Sequence, residues 1–154
     1  MFDGFTYQVA AGNTSTLFLC VNQQTKYNFL VTCGVCFAPN EGFEDSDKSE
    51  LTAEEAVLMM HEVPSIPFEV QFDIPVVQVM CGDLFQGLLT ANGLVYTWGS
   101  NMFGQLGHKS ENIALVQHPK LVTFKDTSST EKKTIYIKQI SCGYNHCVAL
   151  SDQD

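Results

Sequence analysis

An internal repeat is the feature that most limits what this sequence can fold into. The tetrapeptide Val-Met-Cys-Gly at residues 79–82 recurs as Ile-Ser-Cys-Gly at residues 140–143, and residues 9–12 read Val-Ala-Ala-Gly. The closing glycines lie 70 and 61 residues apart, and each is followed by a second apolar run and a turn. A long period of this kind predicts supersecondary units that stack on one another.

Each copy contains the signals of short β-strands. Asn92 and Gly93 separate two β-rich runs, a sequence that favours a two-residue type I′ hairpin. The strand predicted at residues 94–99 has a counterpart at residues 29–34. Two copies add a run that opens with proline, at residues 67–72 and 119–124. Proline suits an edge strand because it cannot donate to a ladder, and four short strands per unit favour a propeller blade.

Residues 77–107 show a specific resemblance to a known family. They contain the strand Tyr-Thr-Trp-Gly, which ends in Trp98 and Gly99, and the loop Gly-Gln-Leu-Gly. This combination resembles the regulator of chromosome condensation repeat, and residues 142–150 resemble it as well. The first copy is more distant because Cys33 replaces the tryptophan. The residues that carry the repeat signature are Gly12, Gly34, Gly82, Asn92, Gly93, Trp98, Gly99, Gly104, Gly107, Gly143 and His146.

The resemblance implies an all-β fold of propeller blades, each built from four antiparallel strands. We assign a first, degenerate blade to residues 5–75, a second to residues 76–134 and the first half of a third to residues 135–154. About two and a half blades make an incomplete ring with uncovered sheet surfaces. We therefore expect a part of a longer propeller, or one that partner subunits complete. The resemblance also implies a packed structural role for His146.

The net charge of −9 is unevenly distributed. Residues 1–75 contain 11 acidic and 2 basic side chains, whereas residues 76–154 contain 6 of each. An acidic surface repels phosphate backbones, which argues against nucleic acid as a partner. The sequence contains neither an apolar run that predicts a membrane span nor a secretory signal. We expect a cytoplasmic or nuclear protein, not a secreted one, whose cysteines are reduced thiols.

Residues 41–62 form the most distinctive segment, with eight carboxylates against the single basic residue Lys48. Thr52 and Glu55 have the form of a capping box, which predicts a short helix over residues 56–62. Because such a helix is too short to persist alone, we expect it to pack on its own blade or on a partner with a basic rim. The second alternative makes the candidate docking residues Glu44, Asp45, Asp47, Glu50, Glu54, Glu55, Met59 and Met60.

The candidate chemistry favours binding over catalysis. Cys33 and Cys36 have the spacing of half a zinc or redox site, but the alignment of Cys33 with Trp98 favours a packing role. No nucleophile–base–acid set emerges, so we predict no enzyme activity, no cofactor and no metal. We predict a protein-interaction scaffold. The alternatives are guanine-nucleotide exchange on a small GTPase, which the resemblance implies, and a purely structural subunit of a large complex.

Overall fold

The computed structural model describes residues 4–34, 50–51, 68–71, 74–109, 113–124 and 135–152. These residues form strands and turns, and no helix occurs among them. None of them forms a helix with the length and hydropathy of a membrane span. The strands are β1 (Gly4–Ala11), β2 (Ser15–Asn22), β3 (Asn28–Gly34), β4 (Glu50–Leu51), β5 (Phe68–Gln71), β6 (Val76–Cys81), β7 (Phe85–Thr90), β8 (Val95–Ser100), β9 (Leu115–Leu121), β10 (Ile137–Cys142) and β11 (Cys147–Ser151).

The strands form three antiparallel sheets, one after another along the chain. The first has the order β1-β2-β3-β5, the second β4-β9-β8-β7-β6, and the third pairs β10 with β11. We refer to them as the first, second and third blades. Strands that are consecutive in sequence are neighbours in each sheet, with the exception of β4, so the predicted four-stranded antiparallel units are confirmed.

The short strand β4 adds a fifth strand to the second blade. It follows β3 of the first blade in sequence, yet Glu50 pairs with Val116 and Leu51 with Leu115 on β9. The middle of the acidic segment is therefore attached to the outer strand of the neighbouring blade. The helix predicted over residues 56–62 lies outside the described residues.

The blades stack through the faces of their sheets. Strand β6 lies beside β1 and β2 on one side and beside β10 on the other. Leu17 and Leu19 of the first blade pack with Phe85 and Leu88 of the second in one buried cluster. A second buried cluster joins residues of the second and third blades, namely Met80, Leu89, Val95, Val122, Ile137 and Ile140. The first and third blades thus both pack against the second.

Equivalent positions in the three blades show which faces the stack leaves uncovered. Leu19 and Leu89 are buried, whereas Leu150 in the third copy is 51% exposed. In the inner strands it is the first blade that is exposed. Val9 is 57% exposed, whereas its counterparts Val79 and Ile140 are buried. The outward face of the first blade and that of the third blade are therefore both apolar and open.

Two local predictions were wrong. The Asn92–Gly93 turn is not of type I′, because Gly93 has a φ of 78° but Asn92 does not have a positive φ. The Gly93 N–H bonds to the Thr90 carbonyl, so the loop combines an ordinary turn with a left-handed glycine. The outer strand of the second blade begins at Leu115, before the predicted range of 119–124. A register shift against β8 between Thr97 and Gly99 accommodates the proline inside the strand.

The expectation of reduced thiols does not hold for one pair of cysteines. Cys142 and Cys147 form a disulfide across β10 and β11. The register of this hairpin places the two residues directly opposite each other, with their Cα atoms 4.2 Å apart. Among the described cysteines, Cys20, Cys33 and Cys81 are not in disulfides.

Leu19 and Leu150 occupy equivalent positions, but only Leu19 is buried between two blades. Replacing each of them by alanine should therefore lower the free energy of unfolding by different amounts. We expect Leu19→Ala to lower the free energy of unfolding by about 2–5 kcal/mol because it opens a cavity in a closed interface. Leu150→Ala should cost less than about 1 kcal/mol because that side chain is half exposed. Urea denaturation at low protein concentration measures both values. Equal losses would contradict the proposed stacking.

Candidate protein-interaction surfaces

Residues 101–109, the first part of the loop after β8, are held in place by a buried asparagine. The Asn101 side chain donates to the Ile113 carbonyl at 3.0 Å and accepts from the Leu106 N–H at 3.1 Å. Gly104 and Gly107 adopt φ values of 73° and 74°, a region that favours glycine. The Gly-Gln-Leu-Gly motif therefore specifies the path of this loop.

Two apolar side chains project from this loop. The Gln105 side chain is buried and accepts the Phe103 N–H at 2.9 Å, which fixes the backbone beside it. Met102 is 58% exposed and Phe103 is 70% exposed. We call these two residues the rim pair. A fixed loop that presents exposed apolar side chains is typical of a protein-binding surface.

Strand β4, which lies within the acidic segment, reaches the same end of the second blade. Ser100, which precedes the loop, pairs with Leu115, and Leu115 pairs on its other side with Leu51. The Asn101 N–H also bonds to the Ala114 carbonyl at 2.7 Å. Strand β4 and the start of the rim-pair loop thus flank the same end of β9.

The predicted docking residues can be placed only in part. Glu50 lies in β4, where its backbone pairs with β9. The others lie outside the described residues: Glu44, Asp45, Asp47, Glu54, Glu55, Met59 and Met60.

A cavity of about 290 Å³ lies between the second and third blades, beside the rim pair. Phe103, Gln105 and Thr97 line it from the second blade, and His146 and Cys147 line it from the third. The His146 ring lies directly against Gly143, just as the Phe85 ring lies against Gly82. Phe85 is buried, whereas His146 is exposed and lines this cavity, so the packed role implied for His146 stays a prediction.

The remaining signature residues lie at turns and at blade interfaces. Trp98 is buried in the cluster between the first and second blades. Gly12 approaches the carbonyl of Gly82 so closely that a Cβ there would overlap it. Gly34 and Gly99 occupy the same place in β3 and β8 and share a positive φ, whereas Asn92 and Gly93 form the β7–β8 turn.

Glutamine side chains connect the inner strands of successive blades. The Gln8 side-chain oxygen accepts the N–H of Val79 at 3.2 Å. The Gln78 amide makes two such bonds, donating to the Ile140 carbonyl at 2.7 Å and accepting the Ile140 N–H at 3.0 Å. The sequence analysis missed these residues, although one glutamine immediately precedes each repeated tetrapeptide. Gln139 is the third.

A second polar connection follows the repeated glycines. Asn13 donates to the Asp83 carboxylate at 2.8 Å, and the same carboxylate accepts a hydrogen bond from the Tyr144 phenol. This hydrogen bond and the negative charge of Asp83 raise the pKa of Tyr144 above its ordinary value of 10.0. Asp83 therefore links the first and third blades through the second.

The interface between the first two blades also contains a buried polar network. The Gln86 amide donates to the Ser15 hydroxyl at 3.0 Å and to the Thr32 hydroxyl at 2.9 Å. All three residues are buried. In the part of the chain that the structure describes, no group of three or more His, Cys, Asp or Glu residues is arranged to hold a metal.

Comparisons with known proteins agree with this architecture. Residues 92–150 match the regulator of chromosome condensation (RCC1) repeat. The chain is 34% identical to rat Alsin over 76 residues, which cover 49% of this chain and 4% of Alsin. It is 28% identical to mouse RCC1 domain-containing protein 1 over 116 residues, covering 72% of this chain and 29% of that protein. The chain thus spans less than a third of the length of these relatives.

The fold is similar to that of a solved protein structure. The crystal structure of Prp20p from Saccharomyces cerevisiae superposes with a TM-score of 0.64 at 17% identity. The superposition covers 97% of this chain and 31% of the Prp20p chain. At this level of identity the similarity establishes the fold alone.

The hydrogen bonds of Gln78 to Ile140 predict that replacing Gln78 destabilises the chain. Replacing Gln139, the equivalent residue of the third blade, should not. We expect Gln78→Leu to lower the free energy of unfolding by about 1–3 kcal/mol, because the Ile140 peptide loses both partners. Gln139→Leu at the equivalent position should change it by less than about 0.5 kcal/mol, because the Gln139 side chain is exposed and forms no hydrogen bond within the described part of the chain. Urea denaturation of the monomeric chain compares the two variants. A similar loss in both would contradict the assigned role.

The Tyr144 hydrogen bond predicts a shift in titration. Asp83→Asn removes the charge that disfavours the phenolate, so the pKa of Tyr144 should fall towards its ordinary value. Titration of ¹³C-labelled tyrosine by nuclear magnetic resonance measures this pKa. Asp152→Asn is the control, because Asp152 is not among the causes of the shift. An unchanged pKa in Asp83→Asn would exclude the bond.

Proposed function

We propose that this chain, whose residues 92–150 match the regulator of chromosome condensation repeat, is a non-catalytic propeller scaffold that binds other proteins in the cytoplasm or nucleus. Its binding surface lies at the end of the second blade where β4 meets β9. The surface combines the acidic segment, residues 41–62, with the rim pair. The pairing of Glu50 and Leu51 with β9 is the observation that carries this proposal.

The acidic segment supplies the charge of the proposed surface. Its eight carboxylates are balanced only by Lys48, and β4 attaches it to a rigid blade. A partner with a basic surface would be attracted over a distance of about 8–10 Å at physiological salt. Charge of this kind mainly accelerates encounter and selects among partners.

The rim pair supplies the apolar part of the surface. Protein interfaces obtain most of their affinity from a few large side chains that become desolvated, surrounded by polar residues. Met102 and Phe103 are exposed, and the hydrogen bonds of Asn101 and Gln105 hold their loop before any partner arrives. A preformed loop lowers the conformational entropy that binding must overcome.

Guanine-nucleotide exchange is an alternative for which we assign no residue of this chain. The fold is similar to that of Prp20p, a protein described as binding Gsp1p and histones. At 17% identity this similarity carries no binding residue over to the present chain. A purely structural role in a large complex would leave both parts of the proposed surface without effect on partner binding.

Two variants of the chain test the proposed surface. One changes the acidic side chains to amides and leaves Glu50 and Leu51 in place, as Glu44→Gln, Asp45→Asn, Asp47→Asn, Glu54→Gln and Glu55→Gln. The other is Met102→Ser with Phe103→Ser. We expect each to weaken retention of the same partners by about tenfold or more in quantitative pull-downs from cell lysate. Only the effect of the acidic residues should diminish in high salt.

A matched control removes an exposed aromatic side chain elsewhere. Tyr27→Ser changes a 76% exposed residue in the β2–β3 hairpin and should leave the partners unchanged. The proposal is wrong if both surface variants retain the same proteins as the wild type. Acceleration of nucleotide release from a captured GTPase would instead establish the exchange alternative.

A further inference from the structure

We propose that Cys142, Cys147 and Met80 form a binding site for a single Cu(I) ion when the disulfide between the two cysteines is reduced. The three sulfur atoms are its ligands. This inference goes beyond the proposed function and uses no residue of the acidic segment or the rim pair.

Two of the three sulfur atoms are brought together by the hairpin of the third blade. Cys142 ends β10 and Cys147 begins β11, and the register of the two strands places them directly opposite each other. The turn between them is closed by a hydrogen bond from the Gly143 N–H to the His146 carbonyl at 2.8 Å. Because this pairing is made by the backbone, it keeps the two side chains together when their sulfur atoms are not bonded.

The third sulfur atom comes from the second blade. The Sδ of Met80 lies 3.0 Å from the Sγ of Cys142. Met80 is only 4% exposed and belongs to the buried cluster between the second and third blades, against which both Cys142 and Cys147 pack. The interface therefore holds a thioether beside the cysteine pair before any metal arrives.

The chemistry of these three ligands selects the metal. Thiolates and thioethers are soft ligands that favour Cu(I), whereas Mg²⁺ and Ca²⁺ require oxygen. Zn²⁺ also binds thiolates, but its structural sites are almost always completed to four ligands by cysteine, histidine or carboxylate. Within the described residues no group of three or more such side chains is arranged to hold a metal. Cu(I) accepts the thioether of Met80 in their place.

The disulfide makes the site dependent on redox conditions. Neither sulfur atom of a disulfide is a thiolate, so the oxidised chain lacks two of the three ligands. A small dithiol delivers two electrons and two protons to the bond, becomes a disulfide itself and leaves two thiols on the chain. Cu(I) then displaces the two thiol protons and keeps its oxidation state. Cys142 and Cys147 are half-buried, so the reductant can reach them.

Competition with a chromophoric Cu(I) chelator under nitrogen tests the site. The full chain carries Cys33→Ser and Cys36→Ser, because that pair has the spacing of another sulfur site. After reduction with dithiothreitol and removal of the reductant, the chain should bind one Cu(I) ion. Its oxidised form should lose this binding. Cys142→Ser and Cys147→Ser should each weaken binding by about a hundredfold or more, because even outer partners of a metal site contribute ten- to hundredfold.

A milder variant isolates the thioether. Met80→Leu preserves the volume and the apolar character of the side chain and removes its sulfur. It should weaken Cu(I) binding about tenfold, because a neutral thioether is a weaker ligand than a thiolate. X-ray absorption should then count two sulfur ligands in place of three.

Cys81→Ser is the matched control. Cys81 follows Met80 in β6 but lies beside Gly12 of the first blade, so its replacement should change neither the affinity nor the sulfur count. Circular dichroism confirms that each variant is folded. Unchanged affinity in Cys142→Ser or in Met80→Leu, or equal affinity of the oxidised and reduced chains, would overturn the proposal.

Discussion

The structure depends on the contact between adjacent sheets through their inner strands. A single blade exposes an apolar face on each side, and only the next blade can cover it. Burial of a leucine such as Leu19 stabilises the fold by about 1.5–3 kcal/mol. Hydrophobic burial is not directional, however, so it does not by itself fix how two sheets align. Gln8 and Gln78 supply the direction, because an amide that bonds to one particular peptide fixes the register of neighbouring strands. Apolar burial thus holds the blades together, and the glutamines determine how they align.

The rigidity of this stack explains why its loops can carry function. The loop after β8 is connected to the core through Asn101, Gln105 and Leu106, all of them buried. Its exposed side chains therefore have a defined position relative to β9 and to β4. Glu50 and Leu51 of the acidic segment are held at the same end of β9 by their pairing with Val116 and Leu115. The surface that we propose would therefore combine charge and apolar area at one end of the second blade.

Features that repeat along the chain could be predicted, and features that appear once could not. The three glycine-marked copies specified the sheets, their order and the antiparallel pairing. The attachment of β4 to β9 was not predictable, because two residues carry no periodicity and the pairing spans more than sixty positions. The glutamines were overlooked for another reason. A polar residue in an alternating strand is usually assigned to solvent, whereas Gln78 faces a neighbouring backbone.

One equivalent position explains why the two interfaces between blades differ. In the second blade Gln86 fills the first interface and bonds to the Thr32 hydroxyl. The third blade has Cys147 at that place, and Thr97, the counterpart of Thr32, bonds instead to the Leu106 carbonyl at 2.9 Å and to the His108 ring. The shorter Cys147 side chain is held in its disulfide and cannot reach across, so a cavity remains between them. That cavity adjoins Phe103. Because the third blade has cysteine where the second has glutamine, a cleft is left beside the loop that carries Phe103.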